Sequence, residues 1–310
     1  MSGALPLLLV LVLLLGVAVV LRPVRTVGPV SRSQAFDAAE RHARRVTVVA
    51  WALLVPVPVL VTKVVTPLLH GTATGAYLGA VPAVAGGTFV LAHLAGELTW
   101  PRPDGPVRRA PLVHRSARDV LPRALTVVTA TWSLLLGALL VTAALTGGAD
   151  GRSLTAAHAD GTTSTASPFP GWYYGRVIAT ATAVVLLLCV AVLALVVRRA
   201  AVADTDPSDD RALRRTSARR VLAGVQLVVA WTLAGCVFFA TITVRNAQPR
   251  WTQALGPDAS SVLLGVGTIG ALTVAVTAVV VAVVGSRATA GSAERRSGPA
   301  VAAAARPGVA

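Results

Sequence analysis

Charge is scarce in this sequence: 13% of its 310 residues are Asp, Glu, Lys or Arg, against 55% in the apolar set. Mean hydropathy is +0.71, and the two together exclude an ordinary water-soluble globule. Acidic residues are scarcer still, 13 against 28 Lys and Arg, for a net charge of +15. In a soluble protein that balance would suggest nucleic acid as partner; in a chain this apolar the membrane explains it better, and no nucleic-acid partner is expected. Lysine is nearly missing, since Lys63 is the single one among the 28 cations. Beside so much Ala, Val and Gly this looks like the codon bias of a GC-rich genome, so arginine here is not a sign of phosphate recognition. Cys189 and Cys236 are the two cysteines, and both fall inside apolar runs at different depths. A disulfide is therefore not expected, and they read as small apolar residues. The one asparagine, Asn246, lacks a glycosylation sequon.

What is present is long apolar runs. A bilayer core about 30 Å thick needs roughly 20 mainly apolar residues in a helix. Seven segments qualify: 5–21, 46–69, 76–95, 124–145, 176–197, 221–243 and 261–284. Stretches such as Val274–Val284 are apolar all round, as lipid-facing helices are. Outer-membrane alternation is absent, which excludes a lipid-exposed β-barrel. The expected fold is all-α, a polytopic transmembrane bundle over residues 1–285 with a disordered tail from 286 to 310.

Cations set the expected threading, because loops rich in Lys and Arg stay cytoplasmic. Segments 22–45, 96–123, 198–220 and 285–310 hold 6, 6, 7 and 4 arginines. Segments 1–4, 70–75, 146–175 and 244–260 hold three in all, Arg152, Arg245 and Arg250. The alternation predicts an outer N-terminus and a cytoplasmic C-terminus in the plasma membrane. Residues 1–21 read as an uncleaved span, since no cation precedes them and cleavage would export six arginines. Tyr77, Trp172, Tyr173, Tyr174 and Trp251 fall at outer ends, and Trp51 and Trp100 at inner ends, where headgroups lie. Trp132 and Trp231 are deeper and are expected between helices.

The outer loop 146–175, rich in Gly, Ser, Thr and Ala, reads as flexible polar coil ending in an interfacial anchor at Trp172. The acidic run Asp204, Asp206, Asp209 and Asp210 reads as an arginine-paired, solvated turn, because its spacing does not fit a calcium loop. Arg followed by Trp recurs from Arg45 to Trp51, Arg123 to Trp132 and Arg220 to Trp231. The unequal gaps leave a helical-hairpin repeat as no more than a suggestion.

Ionisable groups inside a membrane are costly and so are default functional candidates. Three are candidate binding residues. Lys63 lies in the outer half of the second span among Pro56, Pro58 and Pro67. Its stem allows snorkelling, while the prolines free carbonyls that can line a cavity; both readings stand. His93 and Glu97, four apart on one helical face, can pair near the inner rim, with Arg102 or Arg108 as candidates to join them. A proton-handling role is the rival reading. His70 and His93 sit at opposite depths, so they cannot ligate one haem; no metal or cofactor is expected. Gly265, Gly267 and Gly270 match G-x-G-x-x-G, but no strand precedes them. Like Gly75 and Gly79 they read as helix-contact positions.

Gly96-Glu97-Leu98-Thr99-Trp100-Pro101-Arg102-Pro103 and Pro170-Gly171-Trp172-Tyr173-Tyr174-Gly175 resemble segments of uncharacterised polytopic integral membrane proteins from high-GC Gram-positive bacteria. The likeness covers a small part of the chain. It implies no activity, and for Glu97 and Trp172 it implies structural roles. No catalytic triad or nucleotide-binding loop is present. The expected role is therefore non-enzymatic: a structural, assembly or sensory membrane component. Its expected partners are the bilayer, anionic lipids at the cytoplasmic face and another membrane protein. A small-solute or ion transporter using Lys63 and the proline-rich second span is the alternative.

Overall fold

The computed structural model describes residues 33–101, 117–158, 160–203, 205–256 and 258–287. The expected first span 5–21, the Pro-rich turn from Arg102 to Pro106, and the tail beyond Arg287 lie outside them.

Nine α-helices and one β-hairpin make up the described residues: α1 (Gln34–Leu53), α2 (Pro56–Val65), α3 (Thr72–Leu98), α4 (Ala117–Val120), α5 (Arg123–Thr146), α6 (Trp172–Arg198), α7 (Pro207–Ala247), α8 (Arg250–Ala254) and α9 (Ala259–Arg287). A short 3₁₀ turn, Thr66–Leu68, follows α2. Six of the resulting rods are long and apolar enough to cross a membrane. One of these is Gln34–Leu68, interrupted at Leu54 and Val55, where Pro56 withholds its N–H and starts a new helix. The expected spans other than 5–21 each fall within one of these rods, save that 46–69 runs one residue past Leu68. The chain thus has the fold of a multi-pass α-helical membrane protein.

α7 is the axis of the bundle. From Val221 to Ala230 every residue is buried, because α3, α5, α6 and α9 pack around it. The outer helices instead expose large aliphatic side chains, Leu134, Leu145 and Leu187 among them, the face that a hydrocarbon solvent requires. Close approach depends on small residues. Tyr174 and Ile178 of α6 lie over Gly75 and Gly79 of α3, so these two glycines do mark a helix contact. Gly267, one of the three glycines of the fortuitous dinucleotide pattern, is where Thr241 of α7 meets α9.

The tightest such contact is Gly224 of α7 against the ring of Phe89, which also meets Trp51 edge-on at 5.2 Å. A Cβ at Gly224 would run into that ring. Gly224→Ala is therefore expected to destabilise the bundle by about 1–3 kcal/mol through overpacking. Phe89→Leu should recover part of the loss in the double variant, both read by reversible unfolding in mixed micelles.

The outer loop differs from its expected coil. Leu154–Ala157 pairs antiparallel with Thr163–Ala166, with Leu154 opposite Ala166. Small residues alternate inward, so that Leu154, Ala156 and Ala166 close over Ala143, Phe169 and Ala247 at the helix ends. Four hydrogen bonds tie the hairpin segment to α7 and α8: Ser164 Oγ donates to the Ala247 carbonyl, Thr243 Oγ1 to that of Pro168 at 2.6 Å, Arg250 Nε to that of Ala157 at 3.1 Å, and Gln253 Nε2 to His158 Nδ1 at 2.7 Å. Gly161, at φ +82, supplies the left-handed residue that the tip requires.

Asp150 organises the entry to the hairpin. Its Oδ1 accepts from the backbone N–H of Arg152 and from both the N–H and the hydroxyl of Ser153. The Arg152 N–H bond comes first, and these bonds together hold the carboxyl down at about 2. A depressed carboxyl stabilises its partners above the ordinary value of 3.8, and that contribution is lost as pH falls towards 2. Protection of the Arg152 and Ser153 amides against hydrogen exchange, corrected for intrinsic rates, should be constant from pH 7 to 5. It should fall between pH 4 and 2, and be absent throughout in Asp150→Ala.

Candidate functional site

At the arginine-rich end the last turns of α3 and α6 meet the first turns of α7 and the flank of α1. α3 delivers His93 and Glu97, four residues apart and one turn from its end, and the chain then turns through Trp100. α6 ends at Arg198, so Arg199 is the first residue beyond it. α1 passes alongside with His42, and α7 with Asp210, Arg214 and Ser217.

Charge in this knot is enclosed. Arg199 Nη1 donates to Glu97 Oε1 at 3.3 Å, with side-chain exposures of 4% and 9%. It also donates to Ser217 Oγ at 3.2 Å, and its guanidinium lies over the Trp100 ring at 3.8 Å. Burial pulls the Arg199 guanidinium down to about 10, opposed by Glu97, which leaves it charged at neutral pH. A second buried pair, Arg214 with Asp210 at 2.8 Å, lies one residue inward from Leu213. Leu213 itself packs with Phe36, Ala39, Ala43 and Trp100.

Arg102 and Arg108, the expected partners of this pair, lie outside the described residues, and within them the arginine bonded to Glu97 is Arg199. It is 102 positions from Glu97, a juxtaposition that only the bundle creates. No direct hydrogen bond joins His93 to Glu97. The His93 ring meets that of Phe89 at 4.8 Å, tilted by 60°, and its Nε2, like Glu97 Oε2, has no partner among the described residues. Both residues line one cavity with His42, Ser217 and Trp100. Its volume, about 10 Å³ of room for a water's centre, fits one water.

Lys63 stands apart. It is exposed on α2 and does not line this cavity. Among the described residues no group of three His, Cys, Asp or Glu side chains could hold a metal ion. Cys189 and Cys236 are buried free thiols.

Several expectations change. The acidic run is a helix start and not a turn: residues Pro207 onward are helix, and exposed Asp206 caps it by accepting from Ser208 N–H at 2.7 Å; the expected arginine pairing holds at Asp210, which is however buried. Asp204 lies outside the described residues. Trp51 and Trp100 are buried inside the bundle, 1% and 8% exposed, whereas Trp172 and Trp251 are exposed. Trp132 and Trp231 do pack against the core. One buried polar side chain escaped the reading altogether. Gln226, on the axis helix, donates to the Ala278 carbonyl at 2.8 Å and so ties α7 to α9.

The site and fold therefore define a class: a multi-pass membrane bundle with two buried ion pairs, Glu97 with Arg199 and Asp210 with Arg214, at its arginine-rich end. Compared with protein-family models, curated proteins and solved structures, the chain matches none.

Proposed function

We propose that the chain is a seven-span plasma-membrane protein, N-terminus outside and C-terminus in the cytoplasm, acting as a structural, assembly or sensory component that docks to another membrane protein. The observation that carries this reading is how the polar groups are spent. Glu97, Arg199, Asp210 and Arg214 bond one another and the helix ends, and the axis helix is enclosed over ten consecutive positions. This is how a rigid scaffold is built. Arg41, Arg44, Arg45, Arg123 and Arg198 are exposed around the same end, where they can contact anionic headgroups of the cytoplasmic leaflet.

Two measurements test it. A cytoplasm-active reporter fused after Arg296 should be active, and activity there of a reporter that works only when exported overturns the threading. Affinity purification of the full chain in mild detergent should recover a stoichiometric membrane partner, and recovery of the chain alone overturns the assembly role.

The transporter reading is favoured by one feature, the helix break at Leu54 and Val55, since carriers bind substrate at interrupted helices. Lys63, two turns further on, would be its contact. Unchanged uptake profiles in Lys63→Met cells would remove that reading.

A further inference from the structure

We propose that the cavity between α1, α3 and α7 is a binding site for one water molecule, which bridges His93 Nε2 and Glu97 Oε2. Four observations converge on it. Both atoms are buried and have no partner among the described residues, a state that buried polar groups rarely keep. They stand four residues apart on one helix, a spacing that places both side chains on one face, and a single water can bridge two such polar groups with two hydrogen bonds. The cavity they line has about 10 Å³ of room for a water's centre, the size of a single site. Finally, three other polar groups on its wall already have partners. His42 Nε2 bonds the Gly96 carbonyl at 2.9 Å, Thr47 Oγ1 donates to Ala43 O, and Ser217 Oγ donates to Leu213 O while accepting from Arg199.

Water fits this pair better than an ion does. Glu97 accepts only, so its partner must donate, and a neutral imidazole nitrogen can either accept or donate; water satisfies both. A cation would have to share Glu97 with the Arg199 guanidinium already on it and face Arg220 and Arg214, whose fields reach His93 and Glu97. An anion would meet the Glu97 carboxylate. With the water in place, His93 on α3, Glu97, and Arg199 beyond α6 form one hydrogen-bonded chain that also reaches Ser217 on α7.

The test is an experimental structure of the full chain in lipid nanodiscs, at a resolution that shows ordered waters. A density peak within about 2.6–3.2 Å of both His93 Nε2 and Glu97 Oε2 is expected. His93→Leu should lose the peak, and Glu97→Gln, which keeps an acceptor oxygen, should retain it. A wild-type structure in which the two side chains bond each other or another protein group, with no peak between them, overturns the proposal. Should His93→Leu not fold, infrared spectra of the wild type and His93→Gln in H₂¹⁸O supply the second measurement. An isotope-shifted O–H stretch of a single strongly bonded water, displaced in the variant, supports the site; the same spectra without such a band overturn it.

Discussion

Arg199→Met is expected to cost about 3–5 kcal/mol of stability, while the double variant Arg199→Met, Glu97→Leu should recover most of that loss. The asymmetry follows from burial. Side chains exposed by 4% and 9% have left most of their hydration behind. Removing the guanidinium therefore strands a carboxylate that has no other cation bonded to it among the described residues, and also uncovers the Trp100 face that Arg199 covers at 3.8 Å. Removing both charges leaves an apolar contact of similar volume, which a buried ion pair rarely betters. Glu97→Gln alone should cost less than Arg199→Met, because an amide oxygen can still accept from Arg199 and the uncompensated charge would sit on a group that retains Ser217 and Trp100. Unfolding titrations in mixed micelles, run on the three variants, measure the order. Equal losses in the single and double variants would show that the pair contributes packing and not charge.

Legibility in the sequence tracks the range of the interactions involved. The spans were readable because lipid selects for apolar character along the whole length of a helix, a property local to each segment. The contact of Gly75 and Gly79 with α6 was readable for a similar reason, since small residues four apart mark a close face whatever the partner is. Glu97 and His93 could be singled out as costly, and the i,i+4 spacing put them on one face. What completes their site could not be read, because Arg199 and Ser217 arrive from helices more than 100 residues away and look like loop cations and a polar filler when taken in order. The start of α7 is a different case. Asp206 followed by Pro207, with Asp209 and Asp210 in the next turn, is an N-terminal signature of capping residue, proline at the first turn and acids at the positive end of the dipole. A window tuned to apolar runs passes over it, and so the helix was expected to begin at 221. The hairpin escaped for a related reason: Leu-Thr-Ala-Ala and Thr-Ser-Thr-Ala alternate in burial but hardly in hydropathy, because the surface that they cover is itself built from alanines.

The second large effect belongs to Arg214. Its guanidinium closes the C-terminal end of α6, where the last carbonyls of a helix have no partner within it. Nη1 donates to Val196 and Val197 at 2.8 and 3.1 Å, Nη2 to Arg199 and Ala200 at 2.9 and 3.3 Å, and Nε to Asp210 at 2.8 Å. One side chain, 2% exposed, thus satisfies four carbonyls and a buried carboxylate, and places positive charge at the negative end of the helix dipole. Arg214→Leu leaves all of them without it, and a loss of at least about 3–5 kcal/mol is expected, the range for breaking a buried ion pair. The informative variant is Arg214→Lys. An ammonium keeps the charge but has three donors on one atom, against the planar fork that here spans five acceptors. Lys should therefore recover the Asp210 pair and only part of the carbonyl set, giving a stability nearer to Leu than to the parent. Because Arg214 seats the carbonyl of Arg199 itself, both variants should also lower hydrogen-exchange protection at the last turn of α6. The hairpin at the far end of the same helix should keep its protection. Loss confined to the Asp210 turn, with α6 unchanged, would show that the carbonyl contacts carry little of the effect.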